Sequence, residues 1–182
     1  MKSLKNSNDL PAGLPLTADD LLEFHAARLL LLFKMCGVSG RIDGLTKMAK
    51  LDFFVRYPQF FNEACRALGI EAQAAETTVE SSMIRFHYGP WDDRYYHVLA
   101  FLESTGLLEV AKVKNLFTLK LTERGQAAAK QLADDQSYAP LLEQMKRVKK
   151  TLGGKAGSSL KTLIYSVFKK EIGQRTLGET IK

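Results

Sequence analysis

Few residues in this chain of 182 have the types and spacing that chemistry requires. The three histidines, His25, His87 and His97, and the two cysteines, Cys36 and Cys65, follow no metal-ligand spacing and form no zinc motif. They read as structural, so no metal and no cofactor is expected. Both cysteines lie among apolar residues and read as small buried hydrophobes of a reducing compartment rather than a disulfide. No Ser/His/Asp arrangement can be identified from the sequence. Gly153-Gly154-Lys155-Ala156-Gly157 looks superficially like a phosphate loop. It lacks the G-x-x-x-x-G-K-S/T spacing and a preceding strand, and is rejected as one. With no catalytic constellation, a binding protein is expected rather than an enzyme.

Two groups of residues could do binding chemistry. Residues 85–96 combine Arg, Trp, Tyr and Asp at a density found nowhere else in the chain. Such residue types anchor protein interfaces, which makes Tyr88, Trp91, Asp92 and Arg94 candidate partner contacts. The competing reading is a helix cap. Gly89-Pro90 turns the chain, Asp92 and Asp93 complement the helix dipole, and Trp91 packs on neighbouring helices. The second group is basic: Lys112 and Lys114, then Lys146, Arg147, Lys149 and Lys150. These are candidates for contact with a DNA backbone, and otherwise make a solvated helix face. Residues 136–182 carry ten basic and three acidic side chains, whereas residues 71–106 carry two basic and six acidic ones. The C-terminal excess suits nucleic acid or an acidic protein.

These residues need elements to position them. Composition is that of an ordinary globular protein, with 46% hydrophobic and 25% charged residues. No apolar run reaches the ~18 residues of a membrane span, and residues 1–9 hold no apolar signal core, so a cytoplasmic location is expected. Residues 1–16 read as a flexible lead. Thr17 caps a core helix that starts at Ala18 and stops at Gly37. A turn at 39–41 leads to a helix over 42–56, with Lys47, Lys50 and Arg56 off its apolar face. A short helix follows over 59–68, with Pro58 opening it, then a polar linker over 71–80. Residues 83–86 suit a short strand. Pro90 suits the first position of the next helix, which ends at Gly106.

The next stretch predicts strands over 107–113 and 116–121, joined by a tight Lys114-Asn115 tip with Asn115 available for positive φ. Phe117 and Leu119 alternate with Thr118 and Lys120. Thr122 caps a helix over 123–132. Helix, hairpin, helix in this spacing predicts a winged helix-turn-helix. The overall class is mainly α with a small β-hairpin: a winged-helix domain over 17–135, with its N-terminal helices, and a basic C-terminal helical extension over 136–182. That extension holds an amphipathic helix over 139–152, a glycine-rich joint, and a last helix over 159–172. The fold says little about function, because winged helices bind DNA, RNA or protein. The helix entering the groove would begin with Asp92 and Asp93, which opposes base reading beside phosphates. The hairpin adds Lys112, Lys114 and Lys120.

Residues 40–58, with Lys50-Leu51-Asp52-Phe53-Phe54 at their centre, together with Gly89-Pro90-Trp91-Asp92 and the winged-helix close, resemble the middle component of bacterial ABC-three-component defence systems. Within that family the chain is most similar to the small accessory subunit of Lamassu-type anti-phage systems. The resemblance covers about residues 20–135, and those two short stretches are its distinctive part. It implies a non-catalytic subunit that bridges an SMC- or Rad-like coiled-coil ATPase and a nuclease-type effector, restraining the effector until foreign DNA is sensed. Non-specific DNA contact accompanies that expectation. The alternative is a winged-helix transcription regulator.

Overall fold

Helix α1 (Leu22–Cys36) contains the most apolar stretch of the chain and is buried almost all round, with Leu29, Leu31, Leu32 and Phe33 fully enclosed. The computed structural model describes residues 20–72, 82–87, 89–114, 116–169, 172 and 176–181. The helix begins at Leu22 rather than Ala18, with no side-chain cap at Leu21. Thr17, expected as that cap, lies outside the described residues. Gly37 stops α1, its N–H donating to Phe33 O at 3.1 Å.

The helix expected over 42–56 loses its first residues to a strand, β1 (Arg41–Asp43), and α2 runs Leu45–Arg56. Gly44 explains the break. Its φ of +93° lies in the left-handed region that an L side chain rarely adopts. Its N–H donates to Phe117 O at 2.7 Å, far along the chain. Helix α3 (Pro58–Ala67) follows at once, with proline at its first position, where a missing N–H costs nothing.

Strands β2 (Met83–Phe86) and β3 (Gly89–Trp91) pair antiparallel, Arg85 opposite Pro90. Pro90 therefore does not open a helix. It occupies a strand at the sheet edge, where its missing donor is tolerated. Helix α4 (Tyr95–Ser104) begins only after a turn at Asp92, so neither Asp92 nor Asp93 lies in its first turn. Strands β4 (Leu108–Val113) and β5 (Leu116–Leu121) form the expected hairpin, in register from Leu108↔Leu121 to Val113↔Leu116. Lys114 takes the positive φ of 56° at the tip; Asn115 lies outside the described residues. Leu119 and Leu121 are buried while Phe117 is half-buried. Thr122 caps α5 (Glu123–Asp134) as its spacing predicts, Oγ1 accepting from Gly125 N–H at 3.0 Å.

A short 3₁₀ turn (Gln136–Tyr138) leads into α6 (Ala139–Leu152), and α7 (Gly157–Val167) ends before the expected 172. The described part of residues 136–182 shares the core of the helices before it. Met145, Val148, Leu152, Leu160, Ile164, Phe168 and Ile181 belong to the same hydrophobic core as α1 and α2. The apolar faces of α6 and α7 need cover; α6 lies against α1 and α2, and α7 against α2 and α3. Strand β6 (Thr180–Ile181) pairs with β2. The buried Tyr57 hydroxyl ties this corner, donating to Ile181 O at 3.0 Å and accepting from Met83 N–H at 2.8 Å.

The described residues are thus mainly helical, with seven α-helices and two three-stranded antiparallel sheets, ordered β1-β5-β4 and β3-β2-β6. No helix among them is long and apolar enough to cross a membrane.

Candidate functional site

The two distinctive sequence stretches meet in the interior. Asp52 and Arg56 stand one turn apart on α2 and so share a face. Arg28 reaches them from α1, with Nε donating to Asp52 Oδ1 at 3.2 Å. Asp92, on the turn between β3 and α4, accepts from Arg56 Nη1 at 2.7 Å. It also accepts from Arg94 through both oxygens, at 2.8 and 3.0 Å, and from the Arg94 backbone N–H at 3.0 Å. Tyr95 at the head of α4 donates its hydroxyl to Asp52 Oδ2 at 2.7 Å. His25 lies between two guanidinium groups, Nδ1 at 2.9 Å from Arg28 Nη1 and Nε2 at 2.9 Å from Arg94 Nη1. A neutral imidazole has one acceptor nitrogen, so only one of these contacts is an Arg-to-His hydrogen bond.

Arg28, Asp52, Arg56, Asp92 and Tyr95 are all buried, and the Arg94 side chain is 29% exposed. Enclosing charges costs several kcal/mol per ion unless geometry and further hydrogen bonds compensate. Here each carboxylate has at least two partners. Burial alone would raise the Asp92 carboxyl; hydrogen bonds from Arg94 and the charges of Arg56 and Arg94 outweigh it and hold the group well below the usual carboxylate range. Burial would likewise lower Arg56, but Asp52, Tyr95 and Asp92 hold its proton more tightly than usual. Burial and the charge of Asp52 push the Tyr95 phenol far above its ordinary value. The network locks the β3–α4 turn onto α1 and α2. This is a structural role for Asp92 and Arg94, in place of the helix-dipole role expected for Asp92.

Trp91 points the other way. It is half-buried, stacked on Phe86 at 5.9 Å, edge-on to Tyr95 at 5.0 Å and tilted against Tyr96 at 5.6 Å. Phe86 and Tyr96 are 39% and 60% exposed, so an aromatic patch reaches the surface here. Tyr88, the fourth expected anchor, lies outside the described residues. Beneath the patch Lys50 is buried and donates from Nζ to Pro90 O at 2.8 Å. Residue type and spacing do not single out His25, Arg28, Lys50, Asp52, Arg56, Phe86 or Tyr96 as site residues. A signal is present for Asp52 and Arg56: opposite charges one helical turn apart around Phe53, Phe54 and Val55.

The basic candidates divide. Lys112 and Lys114 are exposed on the hairpin, with Lys112 Nζ 5.6 Å from the centre of the Phe117 ring. Lys146 and Lys150 are exposed on α6, and Lys146 pairs with Glu143 at 3.6 Å. Arg147 donates to Gln144 Oε1 at 3.1 Å and Asn62 Oδ1 at 2.9 Å, its guanidinium over Phe61. Lys149 donates to Cys36 O at 2.9 Å and Gly37 O at 2.7 Å, capping the end of α1. Arg147 and Lys149 thus fasten α6 to α3 and α1. Their charged ends bond within this chain.

Both cysteines are buried and unbridged, and burial pushes the Cys36 thiol up to about 12, away from nucleophilic use. Among the described residues no group of three or more His, Cys, Asp or Glu is placed to hold a metal. Comparison with protein-family models, curated proteins and solved structures finds no match to this chain.

Proposed function

We propose that this chain is a non-catalytic accessory subunit on a winged-helix scaffold. It bridges an SMC- or Rad-like coiled-coil ATPase and a nuclease-type effector of an anti-phage complex, and restrains the effector until foreign DNA is sensed. One observation carries the docking part of this reading: Trp91, Phe86 and Tyr96 form a surface aromatic patch held from behind by the Asp52–Asp92 network. Rigid, preorganised aromatics are what interface hot spots are made of. The resemblance of the two stretches that build this corner supplies the identity of the partners. The scaffold reading draws on the strand order β1-β5-β4, with α4 entering and α5 leaving the hairpin, which suits a winged helix.

The alternative is a DNA-binding transcription regulator. Exposed Lys112, Lys114 and Lys120 favour backbone contact by the hairpin. Helix α4 does not favour base reading, since its exposed positions are Tyr96, His97, Ala100, Glu103 and Ser104, with no Arg or Lys. With Asp92 buried, it is this lack of cations, rather than an acidic first turn, that argues against a reading helix.

Co-expression with the ATPase and effector that this reading expects beside this chain's gene tests it. The three should co-purify, and Trp91→Ala should weaken assembly at least tenfold while the isolated chain keeps its helical circular dichroism. Recovery as a free dimer that protects one palindromic DNA site would overturn it in favour of the regulator.

A further inference from the structure

We propose that the cleft between α2 and the β2–β3 hairpin is a binding site for a small carboxylate carrying a single ring. This goes beyond the docking reading and does not depend on it. The cleft has a volume of about 160 Å³. That is close to the ~150 Å³ of an apolar cavity that accepts benzene. Leu45, Phe86, Trp91 and Tyr96 wall it, with Thr46 and Lys50 as its polar side chains. Flat aromatic walls favour a ring, held by stacking or edge contacts.

Lys50 supplies the charge chemistry. Lys50 is 1% exposed, and among the described residues Nζ makes one hydrogen bond, to Pro90 O. An ammonium carries three donors, so two remain for a ligand. Gly89 lies against Lys50. Its φ is +98°, and a Cβ there would stand 3.5 Å from Nζ and 3.7 Å from Tyr165 Cε2. Burial, helped by the charge of Lys161, pushes Lys50 down to about 7. The titratable groups around it are Lys161 and Tyr165 of α7 and Tyr96 of α4. An incoming carboxylate would occupy the two free donors and favour the charged amine. One ammonium balances one negative charge, whereas a phosphate dianion would leave a second charge among aromatic walls.

The test is titration of the full chain with phenylacetate, read by fluorescence of Trp91, the one tryptophan of the chain, and by calorimetry. Saturable binding is expected, with phenylacetamide at least tenfold weaker. Affinity should fall toward tenfold per pH unit above ~7, as the amine loses its proton. Lys50→Met should cost at least tenfold, and Tyr96→Ala, at an exposed position, a few-fold. A peptide ending in a free phenylalanine carboxylate, beside its amide, shows whether a chain terminus fills the site better than a free acid. The proposal fails if neither acid binds below ~10 mM, if the amides bind equally well, or if Lys50→Met binds unchanged. Should Lys50→Met not fold, the pH dependence and the acid-to-amide ratio decide.

Discussion

Two hairpins flank α4, one pairing Phe86 with Gly89 at its last register position and the other Val113 with Leu116. They do opposite things with charge. The β4–β5 hairpin carries Lys112, Lys114 and Lys120 outward into water, where a lysine costs little and contributes little to stability. The β2–β3 hairpin has Lys50 bonded to β3 and Asp92 at its exit, both buried. The difference is one of cover. The β4–β5 hairpin lies against β1, α1, α4 and α5, yet its lysines stand at exposed positions, whereas the charges of the second sit where β3 meets α2 and α7 and β2 pairs with β6. An enclosed charge is held only with partners in place, so its surroundings become rigid and intolerant of change. An open one remains free to contact something else.

The largest effect should come from the enclosed side. Asp92→Asn leaves Arg56 and Arg94 without their shared carboxylate, and should cost about 3–5 kcal/mol. At ~2–4 °C per kcal/mol, thermal unfolding should shift down by ~10 °C. A shift no larger than that of Lys114→Glu would erase the contrast. Acid should act on the same bond. Because the folded-state carboxyl of Asp92 lies below its ordinary value, its contribution is complete above pH ~4 and is lost as pH falls below that toward the folded value. Urea midpoints measured from pH 6 down to pH 2 should therefore fall for the native chain, with a shallower fall in Asp92→Asn.

An intermediate effect belongs to the α6 cations that face inward. Lys149→Met removes two hydrogen bonds from the end of α1 and should cost ~1–2 kcal/mol, whereas Lys150→Met should leave the unfolding midpoint almost unchanged. The smallest stability effect is expected on the open hairpin. Lys112→Glu with Lys114→Glu should alter stability by under ~0.5 kcal/mol per site. The pair should also reduce affinity for duplex DNA and lower the salt slope by ~0.9 for each phosphate the hairpin no longer neutralises. Unchanged DNA binding would remove the hairpin from any backbone contact.

The central element order could be read directly from the residues. The β4–β5 hairpin, the Thr122 cap, the Gly37 stop and the bounds of α6 all rest on signals spanning a few residues: period, turn chemistry and caps. Other elements could not be read this way. Strand β1 is three residues long, too short to alternate, and exists because β5 pairs with it from far along the chain. Pro90 carries the same local restriction in a helix start as in an edge strand, so its place awaited β2.

The site divides along the same line. Trp91 was singled out by residue type alone, and it lies half-buried in an aromatic patch with Phe86 and Tyr96. Lys50, Asp52 and Arg56 were not. The period placed Lys50 and Arg56 off the apolar face of α2, which locally means toward water, yet both are buried, Lys50 bonded to Pro90 and Arg56 to Asp92. By itself the sequence determined which segments are helical, where the long hairpin turns, and that the basic excess is C-terminal. Tertiary structure alone decided which of those charges water sees. Burial belongs to the set of elements that meet around a residue, and no window of neighbouring residues contains that set.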